Sequence, residues 1–442
     1  MKIRNSLRIF LGIAAAVALS CGGQSTSPGN APAPATAAAP AVEQKQLEFM
    51  MWGTPDELET VKGYLRQFSD ENPDIKIKII HKNEYDQALM TYFAGGTPPD
   101  VMYLGLEKFP DLASRDQLLD LTPLIERDKF SLDDFYPQLV GHFKWNGSLY
   151  GIPKDFTPLV LYFNKDMFQK EGLEFPTSEW DWKKFLEASK KLTKDVDGDG
   201  MTDQIGFVVA TWRAEWYPWV LQNGGRIISA DNKAWLMGDP RYIEKNAEAL
   251  QFLADLMWVH KAAPNATVTR DREPSAIFKA GKAAMCTYGR WMCMQFKDIK
   301  EFDWDVQVLP RGPERVSTLF TVCYSIARSS KHPEEAWRLV KFLTGPVGQK
   351  ATARSGHAIP SMRSIAESPD FLEAPAVPQK INTRVFLDAV DYAVPTPTNR
   401  KWSRIQEILS RELQFVWEGK KKAKEVLAAT QDELQAILDE AE

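Results

Sequence analysis

Apolar and polar positions along the chain change rhythm in a repeating order. Leu47-Glu48-Phe49-Met50-Met51-Trp52-Gly53 is a short apolar run ending in glycine, the pattern of a buried strand. Thr54-Pro55-Asp56-Glu57 comes next, with a capping hydroxyl, a proline in the first turn and early acids. These predict a helix start, and Leu58, Val61, Leu65 and Phe68 give that helix its apolar face. Ile75 to Ile80 alternates Ile and Lys as a half-buried strand does. Tyr85 to Phe93 is helical in period and is stopped by Gly95-Gly96-Thr97-Pro98-Pro99, after which Asp100 to Leu104 reads as a strand. Strand, helix, strand, helix, strand predicts an α/β domain built on a parallel sheet.

The same alternation returns further on. Leu159 to Phe163, Ala283 to Tyr288, Val306 to Leu309 and Leu319 to Ala327 read as strands. Trp182 to Leu192, Leu250 to Trp258, Pro333 to Leu343, Ser403 to Trp417 and Ala423 to Leu438 read as helices. No repeat of fixed period is visible.

The N-terminus breaks this pattern. Lys2, Arg4 and Arg8 precede an apolar or small run from Ile9 to Leu19, then Ser20-Cys21. The run is about half the ~20 residues a membrane span needs, so residues 1–20 are expected to be a secretory signal peptide. Ala18-Leu19-Ser20-Cys21 resembles a bacterial lipobox, with Ala18 where leucine is usual. Cys21 is therefore the expected lipidation site, each buried CH₂ adding roughly 0.8 kcal/mol of membrane affinity. Residues 21–46, rich in Gly, Ser, Pro, Ala and Thr, are the expected disordered tether.

The remaining body, about 395 residues, is long for one core and points to two domains. The formal net charge of −5 is spread over both signs with no basic block, which argues against a nucleic-acid partner. Cys286, Cys293 and Cys323 are an odd set for an exported chain, so at least one is expected to be unpaired within it.

Several segments, in order, resemble the extracellular solute-binding proteins of ABC importers, in the branch of maltose-binding and glycerol-phosphate-binding proteins. They are Gly95-Gly96-Thr97-Pro98-Pro99-Asp100-Val101, Tyr150-Gly151-Ile152-Pro153 with Leu161 to Asp166, Ser330 to Trp337 with Phe342-Leu343, and Gly356-His357-Ala358-Ile359-Pro360. The resemblance runs from Leu47 to about Leu438. It implies a two-lobe, periplasmic-binding-protein-like α/β fold with a ligand cleft between the lobes, closed by hinge motion. One lobe is expected from residues 47–155 and 310–362, the other from 156–309 and 363–442. It further implies a monomer in the cell envelope, working with the membrane subunits of an importer and moored to the membrane by its lipid.

Trp52 ends the first strand, where such a fold opens its cleft; Thr54 and Asp56 come just after it, with Thr54 placed either to cap the helix or to bond a ligand hydroxyl. Glu107 and Lys108 align with an acid and a base that the maltose-binding branch sets on sugar hydroxyls. Asp155 and Thr157 fall at the crossing between lobes. Trp212, Trp216 and Trp219 cluster with Arg213 and Glu215, while Trp291 and Trp402 align with positions that stack on sugar rings. Aromatic faces match the C–H faces of pyranoses, and core packing is the alternative for each tryptophan. Phe320 stands where relatives often carry Gly-Gly, which suggests a smaller or more apolar solute.

Asp195-Val196-Asp197-Gly198-Asp199-Gly200-Met201-Thr202-Asp203 has the opening spacing of a calcium loop, with the Met201 carbonyl at position seven and Gly206 where the glutamate would stand. A structural Ca²⁺ is the most this implies, and no cofactor is otherwise required. Three functions are weighed. The first is capture of a mono- or oligosaccharide, with no enzyme activity. The second is capture of a glycerophosphodiester, peptide or polyamine, for which Lys108, Arg213, Arg290 and Arg363, or Glu107, Asp155 and Asp56, would supply the charge. The third is a surface glycoside hydrolase, which needs a pair of carboxylates across the cleft; no GxSxG, HExxH or paired-acid signature appears.

Overall fold

The computed structural model describes residues 44–440, apart from 200–201, 210–212, 265–272, 379 and 398. The signal peptide, Cys21, the tether, Met201 and Trp212 lie outside the described residues. In chain order the strands are β1 (Lys45–Met51), β2 (Ile75–His81), β3 (Val101–Gly105), β4 (Lys144–Trp145), β5 (Ser148–Leu149), β6 (Gly151–Pro158), β7 (Val160–Asn164), β8 (Ile205–Val208), β9 (Ala283–Tyr288), β10 (Trp304–Gln307), β11 (Ser317–Ile326), β12 (Ile359–Pro360) and β13 (Ala393–Pro395). They form two main sheets, one in each lobe of a two-lobe α/β fold.

The first sheet runs β12-β6-β11-β3-β1-β2, with β13 on β11. Its β1, β2 and β3 are parallel, as the strand–helix alternation predicts, and β11 pairs antiparallel with both β3 and β6. The helix Pro55–Glu71 buries Val61, Leu65 and Phe68 against this sheet's core. Thr54 caps it in extended backbone, accepting from the Glu57 N–H at 3.2 Å. The second sheet runs β10-β7-β9-β8. The helix Trp182–Leu192, capped by Asp181, packs Phe185 and Leu192 into its core.

β6 and β7 are separated by Leu159 only, so the chain passes from one sheet to the other within a residue. It returns between β10 and β11, and β13 joins the start of β11. Every residue of β6 is buried, because β11 and β12 flank it in the sheet. These shared strands bring Lys154, Asp155 and Thr157 to the junction of the lobes. Cys286, Cys293 and Cys323 are all buried free thiols. Burial raises the pKa of each, which keeps them protonated and unreactive. Among the described residues, no helix is long and apolar enough to cross a membrane.

Candidate functional site

β1 and β3 run parallel, so their carboxyl ends open on one edge, the place where α/β sheets hold ligands. A cavity of about 920 Å³ lies there. Its floor comes from Trp52, Gly105 to Lys108 and the β6 residues Lys154, Asp155 and Thr157. Leu319 to Val322 of β11 line it as well, and Trp291 and Gln295 complete the wall from the second lobe.

Trp52 is held edge-on by two rings, Tyr85 at 4.7 Å and Tyr103 at 5.2 Å between centroids. The Tyr85 hydroxyl donates to the Tyr103 carbonyl at 2.6 Å, which locks that aromatic corner. Gly53, at φ +143°, allows the turn into the first helix; a Cβ there would meet the Glu57 carboxylate at 2.5 Å. Across the cavity, Trp291 meets Phe320 edge-on at 5.4 Å. Its six-membered ring folds back over Gly289, where a Cβ would stand 2.1 Å from the ring. The glycine is what lets the indole lie in this pose.

A buried polar group lies between these aromatics. Lys154 pairs with Asp155 and lies 3.5 Å from Glu57, and its ammonium sits 4.6 Å from the Tyr103 ring centroid. Burial opposes the charge on Lys154, but Asp155 and Glu57 together outweigh it and raise its pKa. His357 Nε2 lies 3.3 Å from Thr54 Oγ1, and its Nδ1 is buried without a partner among the described residues. Burial pushes His357 down to about 4, and the nearby Lys154 cation adds to the effect. The ring therefore stays neutral at pH 7. Donors and acceptors already engaged with one another beside aromatic faces suit a polyhydroxylated, uncharged ligand.

Two contacts draw the lobes together at the rims of the cavity. Lys297 pairs with Asp56 at 3.0 Å, holding that carboxyl below its usual range, and Lys108 Nζ donates to Ser403 Oγ at 3.1 Å.

Of the residues the sequence singles out, the structure brings Trp52, Thr54, Glu107, Lys108, Asp155, Thr157, Trp291 and Phe320 to this cavity. Asp56 is exposed beside it, engaged by Lys297. Two placements differ from expectation. Trp402 is 0% exposed and Trp216 2% exposed, both in the core of the second lobe. Trp402 lies among Tyr217 and Trp235, and Trp216 against Tyr217, because their helices turn these positions inward onto the sheet. Glu57, Lys154, Tyr85 and Thr396 also line the cavity, and no motif marks them. His357 stands in the Gly356-His357-Ala358-Ile359-Pro360 segment, its one visible signal.

Arg290 does not reach the cavity. It is 0% exposed, its guanidinium has no hydrogen-bond partner among the described residues, and it packs on Phe371 at 4.7 Å and Phe386 at 4.9 Å. Its backbone N–H donates to Thr157 Oγ1 at 2.9 Å, which ties the Trp291 turn to β6. Arg363 lies over the Tyr136 ring instead. The acidic loop places Asp195, Asp197 and Asp203 carboxylate oxygens within 4.8 Å of one another at the surface. That donor set fits a hard cation, although Asp195, Asp197 and Asp203 already accept from the N–H groups of Gly198, Asp199 and Val196.

A model of the family "bacterial extracellular solute-binding protein" matches residues 52–350. Over an alignment of 442 positions the chain is 23% identical to the galactooligosaccharide-binding protein of Bacillus subtilis, covering 97% of this chain and 96% of that one. An ABC substrate-binding protein from Listeria monocytogenes, solved in complex with cycloalternan, superposes with a TM-score of 0.81 at 27% identity. That match covers 89% of this chain and 98% of the other. Maltose-bound MalE3 of T. maritima superposes with a TM-score of 0.75 at 24% identity, over 89% of this chain and 99% of that one, a likeness of fold.

Proposed function

Because this chain belongs to the bacterial extracellular solute-binding proteins, we propose that it captures a mono- or oligosaccharide in the cleft and delivers it to an ABC importer by lobe closure. The observation that carries this is the presence of Trp52 and Trp291 on a cavity whose buried cation, Lys154, is already engaged by Asp155 and Glu57. Indole faces take the apolar faces of sugar rings; Glu107 and Lys108 are set to meet their hydroxyls. The names of the relatives point the same way, to galactooligosaccharide, cycloalternan and maltose.

Charged solutes fit less well. Glu57, Glu84, Asp86, Glu107 and Asp155 outnumber Lys82, Lys108 and Lys154 in the lining, which disfavours a phosphodiester. A polyamine would need free acids, and Asp155 and Asp56 are held by Lys154 and Lys297. We propose that the protein binds its solute without turning it over, and that Cys21 carries a lipid that moors the exported chain to a membrane of the cell envelope. The solute leaves intact in this reading.

The test is a thermal-shift screen of the protein against galacto-, arabino- and malto-oligosaccharides, their monosaccharides, glycerophosphodiesters, polyamines and short peptides. A ligand at 100 times its Kd adds about 2.7 kcal/mol. A sugar that raises the melting temperature and is recovered uncleaved supports the reading. A shift from a charged solute with none from sugars sinks the carbohydrate assignment, and cleavage products sink the binding-only one. Loss of labelled acyl chain in Cys21→Ser checks the anchor.

A further inference from the structure

The turn that carries Trp291 is tied to both strands of the lobe crossing. Leu159 alone separates β6 from β7, and one side chain from each reaches the Gly289-Arg290-Trp291 turn beyond β9. From β7, the Tyr162 hydroxyl donates to the Gly289 carbonyl at 2.8 Å. From β6, Thr157 Oγ1 accepts the Arg290 N–H at 2.9 Å. We propose that Tyr162 and Thr157 are positioning residues for Trp291: their hydroxyls act on the solute only through the indole, and they set the affinity of the cleft by fixing where that ring stands. This rests on the carbohydrate reading of Trp291 above.

Three observations carry it. First, both hydroxyls are already engaged. Each has one hydrogen to give. That of Tyr162 goes to Gly289, so the Cys293 thiol, which burial keeps protonated, is the donor to Tyr162 Oη at 3.3 Å. That of Thr157 goes to the Pro158 carbonyl at 3.1 Å, so although Thr157 lines the cavity its hydroxyl offers a solute no hydrogen. Second, Tyr162 is 0% exposed and stands off the cavity, among Phe296, Trp304 and Phe386. Any effect it has on binding passes through the turn. Third, the turn has little else to orient it. The Arg290 guanidinium packs on Phe371 and Phe386, a weakly directional contact, and has no hydrogen-bond partner among the described residues. The helix that follows, Met292–Phe296, is little more than one turn long and has no side-chain cap. The indole lies so close over Gly289 that a shift of that backbone moves the ring directly. A wall fixed in advance costs less ordering entropy when the solute arrives.

The experiment uses the full chain labelled with fluorinated tryptophan, the Trp291 resonance being assigned by its loss in Trp291→Phe. Tyr162→Phe and Thr157→Val should each shift or broaden that resonance more than those of the other tryptophans, and Thr157→Ser should restore it. Isothermal titration with maltotriose and with a galactotriose gives the second readout. For the sugar that binds, affinity should fall about 2- to 10-fold in Tyr162→Phe. The same change made in Trp291→Ala should bring no further fall, which a general loss of stability would not spare. An unmoved Trp291 resonance in both Tyr162→Phe and Thr157→Val overturns the positioning role, whether or not either sugar binds. An equal loss of affinity with and without the Trp291 ring overturns it too, since Tyr162 would then act by another route. Trp291→Ala that binds as wild type does, with the fluorine shifts as expected, overturns the carbohydrate reading of this wall instead.

Discussion

Trp291 and Trp402 both stand beside the start of a helix in the second lobe, yet one faces an open cavity and the other is sealed. Trp291 precedes its helix just beyond the carboxyl end of β9, at the edge where the sheet opens, and Gly289 gives its ring room to fold back over the turn. Trp402 begins a long amphipathic helix whose inner stripe continues through Ile405, Leu409 and Leu413, so its indole is drawn into the same core. Side-chain type is equal in the two cases. What separates them is whether the residue stands in the turn beyond a strand's carboxyl end or opens the buried face of a long helix.

The sharpest way to break this comparison is to truncate both rings. Trp402→Ala leaves a void among Tyr217 and Trp235 and should cost about 3–5 kcal/mol of stability, read as a lower denaturation midpoint with an unchanged slope. Were stability to hold while sugar binding vanished, Trp402 would be a cleft residue in solution and the contrast would be gone.

Trp291→Ala should do the reverse. It removes one wall of the cavity, so affinity for the sugar identified in the screen should fall about 10- to 100-fold. Stability should shift by no more than about 1 kcal/mol, because the ring is partly exposed. A large stability loss with unchanged affinity would move Trp291 into the core class with Trp402.

The fold is largely legible in the sequence because its signals are local. The Ile75–His81 alternation and the Trp182–Leu192 stripe are each set by neighbours a few residues apart, and the structure has both elements where the pattern puts them. β6 escapes because Pro153, Lys154, Asp155 and Pro158 break up any apolar run, and β8 because it is a short strand with Gly206 inside it. The cavity is legible at strand ends, at Trp52 and at the Glu107-Lys108 pair, where a turn exposes the side chains beyond the strand. The meeting of Lys154, Glu57 and His357 is not, because it joins segments about 100 and 200 residues apart, which no local pattern records. Trp216 and Trp402 mislead for the opposite reason: aromatic type is plain in the sequence, while the inward face of their helices outweighs it.

A further measurement tests the other half of the comparison, that the cleft is titratable where the aromatic core is not. His357 has its folded pKa at about 4, below its ordinary 6.5, because burial and then the Lys154 cation disfavour the charged ring. Above about pH 6.5 the ring is neutral in folded and unfolded chains alike, and it contributes no pH dependence there. As pH falls below that value the unfolded chain takes up a proton that the folded one refuses until about pH 4. Stability should therefore decline across that window, at up to about 1.4 kcal/mol per pH unit from this group. In His357→Gln the decline should be shallower, while Trp402→Ala, which removes no ionisable group, should keep the wild-type slope at its lower level. Denaturation midpoints measured from pH 7 to pH 4 on the three proteins decide it. An unchanged slope in His357→Gln would mean that other groups carry the acid sensitivity and that the Thr54–His357 contact is open to water when the cleft is empty.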